Sequence, residues 1–95
     1  MEIKRIDAST VKIATKTESF LLIEQSRGVY GSGKAIQLYH LNGIKQEHVK
    51  EIGWTRDDGY KTAKKEPGFI EGITTWENAI EGAKKYLKEV YDITE

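Results

Sequence analysis

The last third of the chain carries a single amphipathic segment, and this segment limits what the remaining residues can fold into. Apolar side chains recur through it at helical spacing: Trp76, Ala79, Ile80, Ala83, Leu87 and Val90. Just before it, Thr74-Thr75-Trp76-Glu77 has the form of a capping box, in which Thr74 accepts a hydrogen bond from the backbone N–H of Glu77. The pattern predicts one helix over 75–91, and the apolar stripe of that helix needs a surface to cover.

The residues ahead of the helix have the period of strands. Alternation predicts strands at 10–15 and 34–41, the last with Ile36, Leu38 and His40 on one face. The turn residues Asp7-Ala8-Ser9 predict a partner strand at 2–6. The apolar run at 20–23 predicts a strand over 19–25 that is covered on both faces and central in its sheet. Asn42-Gly43 predicts a tight hairpin turn, whereas residues 44–48 fit a strand or a helix.

A second hairpin is predicted from residues 49–56 and 60–65, with its turn at Asp57-Asp58-Gly59. Its strands are poor in apolar residues and rich in lysine, which is typical of exposed sheet edges. The predicted fold is α+β: one domain over 1–95, strand-rich over 1–73, with a small antiparallel sheet of about five to six strands packed against the C-terminal helix. An exposed edge strand also leaves room for a homodimer.

Composition excludes several classes of protein. The chain has no cysteine, so disulfides, thiol catalysis and thiolate zinc sites are ruled out. No apolar run approaches the ~20 residues of a membrane-spanning helix, so we expect no membrane partner. The first residues lack the apolar core of a signal peptide, which predicts a cytoplasmic protein.

One glycine-rich segment matches part of the sequence motif of a phosphate-binding loop. Residues 28–34 match the pattern G-x-x-x-x-G-K, but Ala35 replaces the Ser or Thr that binds magnesium. The residues after it alternate with the period of a strand, whereas a phosphate loop is followed by a helix. A flexible loop is the favoured interpretation, and successive glycine N–H groups near Arg27 and Lys34 leave a small-anion site as a second alternative.

No residue pattern predicts catalysis, a metal or a cofactor. His40 and His48 are the only imidazoles, and no acidic residue stands at a recognised ligand spacing with both. We expect His40 to be a hydrogen-bonded, partly buried side chain. No serine lies in a nucleophile-elbow pattern, so we expect a protein that is not an enzyme.

Charge is divided along the chain even though its sum is zero. Residues 1–65 hold 12 Lys and Arg against 8 Asp and Glu, and residues 66–95 hold 3 against 7. The basic part contains aromatic residues able to stack on bases, which makes a nucleic-acid-binding surface an alternative function. The predicted surface lies around Trp54. It consists of Lys45, Lys50, Arg56, Tyr60, Lys61, Lys64 and Lys65.

A protein-binding role is the leading interpretation. Trp54 and Tyr30 are the aromatic residues that we expect at an interface, Tyr30 because it lies in the glycine-rich loop. Arg27 and Lys34 flank that loop and complete the candidate protein-binding set. The expected function is therefore a small non-enzymatic binding module without a cofactor, whose partner is another protein.

The C-terminal part of the chain also carries a resemblance. Gly72-Ile73-Thr74-Thr75-Trp76-Glu77-Asn78-Ala79-Ile80, continuing to Tyr86-Leu87, resembles the ending of small phage and prophage accessory proteins. In those proteins a strand meander is closed by a helix that opens Thr-x-x-Glu-x-Ala. The resemblance implies a protein that binds and inhibits a host factor, such as a defence or nucleic-acid-processing protein. It assigns no functional residues, since the shared positions belong to the helix cap and the core.

Overall fold

A computed structural model describes residues 1–26, 33–56 and 70–93, and all structural statements below concern these ranges. They form six strands and one helix: β1 (Glu2–Asp7), β2 (Thr10–Ala14), β3 (Ser19–Ser26), β4 (Lys34–Asn42), β5 (Lys45–Arg56), β6 (Ile70–Ile73) and α1 (Trp76–Val90). The strands make one sheet whose spatial order is their chain order, β1 to β6. The α+β prediction is confirmed.

Neighbouring strands from β1 to β5 pair antiparallel, and β5 pairs with β6 in parallel. The predicted antiparallel sheet of five to six strands is confirmed, with one parallel pair at its end. Antiparallel neighbours are joined by short turns, whereas a parallel neighbour needs a connection of a dozen or more residues. Residues 57–69 supply that connection, and they lie outside the described ranges together with the predicted hairpin turn at Asp57-Asp58-Gly59 and its strand at 60–65.

Strand β5 departs furthest from the prediction. It runs through the ambiguous residues 44–48 from Lys45 onward, and it lies inside the sheet between β4 and β6 instead of at an edge. Its central residues are buried, including the charged Lys50 and Glu51, which are 7% and 6% exposed. The low apolar content of this segment predicted an exposed strand, and that prediction was wrong because the charged side chains are buried with partners. The Lys50 ammonium, for example, lies 5.3 Å from the Tyr86 ring centroid.

The core lies between α1 and one side of the sheet, here called the helix side. Ala79, Ala83 and Leu87 of α1 are fully buried there. They pack with sheet residues that alternate along their strands: Val11, Ile13, Phe20, Leu22, Ile36, Leu38 and Ile52. The central placement of β3 is confirmed, but Leu21 and Ile23 point to the other side, here called the open side, and are only half-buried.

The start and end of α1 differ from the prediction by one residue. Thr75, not Thr74, is the N-cap, and its hydroxyl oxygen accepts from the backbone N–H of Asn78 at 3.2 Å. The backbone N–H of Thr74 instead donates to the carbonyl of Trp54 at 2.7 Å, which ties this residue to β5. Val90 is 54% exposed and does not belong to the buried stripe.

Candidate functional site

The turn between β4 and β5 projects an apolar side chain into solvent. Asn42 lies opposite Lys45, so the loop consists of Gly43 and Ile44. Gly43 has a φ of 65° while Ile44 keeps a negative φ, as in a type II′ turn with glycine at its first central position. The predicted hairpin is confirmed, but the two central residues of its turn are Gly43 and Ile44 instead of Asn42 and Gly43. Ile44 is fully exposed, at 102% of the reference value for an isolated residue.

A tight turn at 15–18 stands beside this hairpin. The Thr15 hydroxyl oxygen accepts from the backbone N–H groups of Glu18 at 2.9 Å and Thr17 at 3.3 Å. The Thr15 backbone N–H also donates to the Glu18 carbonyl at 2.8 Å, so the turn closes on itself. Between this turn and the β4–β5 hairpin lies an open cleft of about 650 Å³, lined by residues 15–19 and 40–43.

His40 lies at the inner wall of the cleft, held between two carboxylates. Its Nε2 is 3.3 Å from Glu18 Oε1, and its Nδ1 is 4.0 Å from Glu47 Oε2. Its ring packs on Phe20, with centroids 5.0 Å apart. The partly buried, partnered histidine of the prediction is confirmed. Because each ring nitrogen faces its own carboxylate, the imidazole links β4 to the 15–18 turn and to β5.

Tyr91 closes this cluster from the end of the helix. Its ring packs edge-on against Phe20, with centroids 5.4 Å apart. Burial raises the pKa of the Tyr91 phenol above its ordinary value of 10.0, and Tyr86, Glu18 and Glu47 raise it further. The phenol is therefore held in its neutral form up to high pH. Among the described residues, no group of three His, Asp or Glu side chains is placed to hold a metal ion.

A chain of hydrogen bonds crosses the open side of the sheet. Trp54 Nε1 and Gln37 Nε2 donate to the two oxygens of Glu51, at 3.1 Å and 2.9 Å. A carboxylate accepts only, so Gln37 must turn its amide nitrogen towards Glu51 and its oxygen towards His48. His48 Nε2, 2.7 Å from that oxygen, is then the donor. These contacts satisfy the buried Glu51 carboxylate and fix the tautomer of His48.

Two of the predicted protein-binding residues, Lys34 and Trp54, lie in the described ranges, on the paired strands β4 and β5. Lys34 is exposed at the start of β4, whereas Trp54 is 7% exposed and has its indole N–H bonded to Glu51. Trp54 therefore presents little surface to a partner in this conformation, contrary to the expectation of an interface aromatic. Arg27 and Tyr30 lie outside the described ranges, with most of the glycine-rich loop. The strand period predicted for the residues after that loop is confirmed by β4.

The described members of the predicted nucleic-acid-binding set are Lys45, Lys50 and Arg56, which all lie on β5. Lys45 and Arg56 are exposed at opposite ends of β5, about 35 Å apart for a strand of this length. Lys50 lies between them but is buried against Tyr86. Tyr60, Lys61, Lys64 and Lys65 lie outside the described ranges, and binding through this set stays a prediction.

Two features beside this cleft were not predicted from the sequence: the carboxylates around His40 and the exposed Ile44. Glu18 and Glu47 are distant from His40 along the chain, so their approach depends on strand pairing. Ile44 did carry a signal, since a β-branched apolar residue follows Asn42-Gly43 where turns are usually polar.

Comparisons with known proteins add no relative to this description. Within the described ranges, α1 falls short of the length and apolar character that a membrane-crossing helix requires. The chain matches no protein-family model, no curated protein and no solved structure.

Proposed function

We propose that this protein is a small non-enzymatic module that binds another protein through the hairpin end, defined as residues 42–45 together with the 15–18 turn. The observation that carries the proposal is the full exposure of Ile44 at the tip of a two-residue turn. The next most exposed large apolar side chain among the described residues, Ile73, is 58% exposed. Among the residues that the structure describes, Ile44 is therefore the large apolar side chain with the greatest exposed fraction to lose on binding.

The position of Ile44 favours an anchoring role. Burying an isoleucine side chain stabilises a complex by roughly 1.5–3 kcal/mol. The residue stands on a tight turn between paired strands, so little conformational entropy is lost when it enters a pocket. The partner that fits is a protein surface with an apolar pocket beside an acidic group, since the exposed Lys45 directly follows Ile44.

The chemistry next to the hairpin supports binding over catalysis. Each nitrogen of the His40 imidazole lies beside a carboxylate, so neither nitrogen is left without a partner as a candidate base for a substrate. The resemblance of the C-terminal residues to phage accessory proteins adds the expectation that the partner is a host factor that the protein inhibits.

The test is a comparison of three immobilised proteins: the wild type, Ile44→Ser and the matched control Ile73→Ser. Ile73 is also an exposed isoleucine, and its pairing with Trp54 places it about 30 Å along the sheet from the hairpin. We expect a protein captured from host lysate by the wild type and the control to be lost with Ile44→Ser. Its affinity, measured by calorimetry after purification, should fall by about 10- to 100-fold. Equal affinity for the wild type and Ile44→Ser would overturn the proposal.

A further inference from the structure

Strand β1 forms an edge of the sheet, and its side chains are all exposed. Within the described ranges it pairs with β2 alone, so the backbone groups along its other edge have no strand opposite them. Such an edge is a template for one more strand. Ile3 on this strand is 38% exposed, which leaves apolar surface at the edge for a neighbour to cover.

The register with β2 assigns each residue of β1 to a side of the sheet. Ile3 lies opposite the buried Ile13 and therefore points to the helix side. Glu2 and Lys4 lie opposite Ala14 and Lys12 and point to the open side. The strand thus presents an apolar residue on one side and an acid and a base, two positions apart, on the other.

We infer that β1 pairs antiparallel with β1 of a second copy of this chain, in the register that places Ile3 opposite Ile3. A two-fold axis through this pair is perpendicular to the sheet, so residues opposite each other lie on the same side. The pairing joins the two isoleucines on the helix side. On the open side, symmetry then places Glu2 of each copy opposite Lys4 of the other.

Charge selects this register over its neighbours. A two-fold axis at Glu2 places two glutamates opposite each other, an axis at Lys4 two lysines, and an axis at Arg5 two arginines. Like charges directly opposite each other destabilise a strand pair, and opposite charges stabilise it. Axes between residues would bring the helix side of one copy beside the open side of the other. An axis at Ile6 would pair Arg5 with Asp7, but it falls at the irregularity between Arg5 and Asp7, where the strand is bent. Ile3 is therefore the centre that meets both requirements on the regular part of β1.

The far end of β1 limits the pairing to its first residues. The register with β2 shifts between Arg5 and Asp7, which bends the edge. The Arg5 guanidinium donates to the carbonyls of Asp7 at 2.9 Å and Ala8 at 2.8 Å and also lies over Trp76, 4.8 Å from the ring centroid. An interface of about five residues from each copy is small, so the dimer should be weak and depend on concentration.

This dimer is separate from the proposed protein-binding function. Ile44 lies on the β4–β5 hairpin, three strands from β1. Ile44→Ser should leave dimerisation unchanged. Glu2 pairs with Ala14 beside the 15–18 turn, so Lys4→Glu, which lies further from that turn, is the β1 variant that should leave the affinity for the captured protein unchanged. Failure of either proposal is therefore visible without failure of the other.

Sedimentation equilibrium of charge-reversed variants tests the register. The wild type should show a reversible dimer between about 20 µM and 1 mM. Glu2→Lys and Lys4→Glu should each raise the dimer dissociation constant by about 10-fold, since each places like charges opposite each other twice. The double variant restores two opposite-charge pairs and should return to within about 3-fold of the wild type. A monomeric wild type at 1 mM, or a double variant weaker than both single ones, would refute the pairing.

Cysteine crosslinking provides an independent test, because the natural chain has no cysteine. In this register Ile3 alone faces its own copy, so oxidised Ile3→Cys should form a covalent dimer, whose Cα atoms would lie within disulfide reach. Lys4→Cys, on the same exposed strand, would face Glu2 and should crosslink at least about 10-fold more slowly. Equal crosslinking of the two variants would show that the contact is not this one.

Discussion

Gly53 marks the closest approach between β5 and the chain that leads into α1. A Cβ atom at this position would lie 3.0 Å from Thr74 Cγ2, 3.4 Å from Ile70 Cβ and 3.5 Å from the Ile70 carbonyl oxygen. The two Ile70 distances are those of ordinary van der Waals contact. The atom that a methyl group would crowd is the methyl of Thr74, whose side chain is buried. The absence of a side chain at Gly53 therefore makes room for Thr74 at the junction of β6 and α1.

We predict that Gly53→Ala lowers the free energy of unfolding by about 1–3 kcal/mol, the usual range for overpacking. Gly43→Ala is an informative comparison, because its Cβ would meet no atom within 4 Å and its cost comes only from the positive φ of 65°. Urea denaturation of both variants measures the difference. A Gly53→Ala protein as stable as the wild type would show that the Thr74 methyl can move aside.

Tyr91 makes stability sensitive to alkaline pH. Burial, followed by the charges of its neighbours, raises the pKa of its phenol above 10.0 in the folded state. Between pH 10 and that raised value the folded chain keeps a proton that the unfolded chain has lost, so stability falls as pH rises through this window. Below pH 10 both states hold the proton, and Tyr91 adds no slope.

We predict that Tyr91→Phe reduces the loss of stability between pH 9.5 and about 11, measured by urea denaturation at each pH. Other tyrosines and the lysines titrate in both proteins, so the difference between the two curves isolates Tyr91. Tyr39→Phe serves as the matched control, because Tyr39 lies on the open side of the sheet. Parallel curves for the wild type and Tyr91→Phe would contradict the assignment.

At the scale of elements, the fit between α1 and the sheet depends on Gly82. A Cβ atom there would lie 3.0 Å from Ile70 Cδ1 and 3.6 Å from Ile52 Cγ2. Glycine inside a helix costs about 1 kcal/mol relative to alanine. This cost is offset by packing, because the absence of a side chain at Gly82 allows the helix to approach β5 and β6 closely.

The Ile70 side chain decides the effect of filling that space. We predict that Gly82→Ala is neutral or slightly destabilising in the wild type, but stabilising by about 0.5–1 kcal/mol in the Ile70→Val background, which lacks the Cδ1 atom. Thermal unfolding of the four proteins in this double-mutant cycle measures the coupling. Additive effects would mean that Ile70 does not limit the approach of the helix.

The sequence allowed elements to be predicted where one local pattern settles their structure. The alternation in β2 and β4 and the helical spacing of α1 each depend on the residues of that segment alone. The N-cap could not be assigned in this way, because Thr74 and Thr75 are both suitable residues. Thr75 takes the role because the backbone of Thr74 is bonded to Trp54 of β5.

The interior position of β5 was missed because its burial depends on distant partners. Glu51 is buried with Gln37, fourteen residues away, and Lys50 is buried beside Tyr86 of the helix. A local count of apolar residues contains neither pairing. The cleft between the 15–18 turn and the β4–β5 hairpin was missed for the same reason. The two turns are distant in the chain, and only the order of the strands in the sheet brings them together.

At the scale of the whole molecule, the sheet contains two kinds of connection. Strands β1 to β5 are neighbours in space and in the chain, and the turns between β1 and β2, β2 and β3, and β4 and β5 are of two to four residues. Strand β6 reaches β5 only after residues 57–69, and α1 follows it directly. The molecule is thus a meander to which a parallel strand and a helix are added.

This division has a consequence for the order in which the molecule folds. Closing a short hairpin loses less chain entropy than closing the connection to a parallel strand, so the meander should form before β6 docks. We predict φ-values of at least about 0.5 for Leu38→Ala in β4 and at most about 0.3 for Ile70→Ala in β6, from stopped-flow refolding and unfolding rates. The reverse ranking would mean that docking of the C-terminal part nucleates the fold. With the predicted ranking, a loosened contact at β6 or α1 shortens the lifetime of the folded protein and leaves its refolding rate almost unchanged.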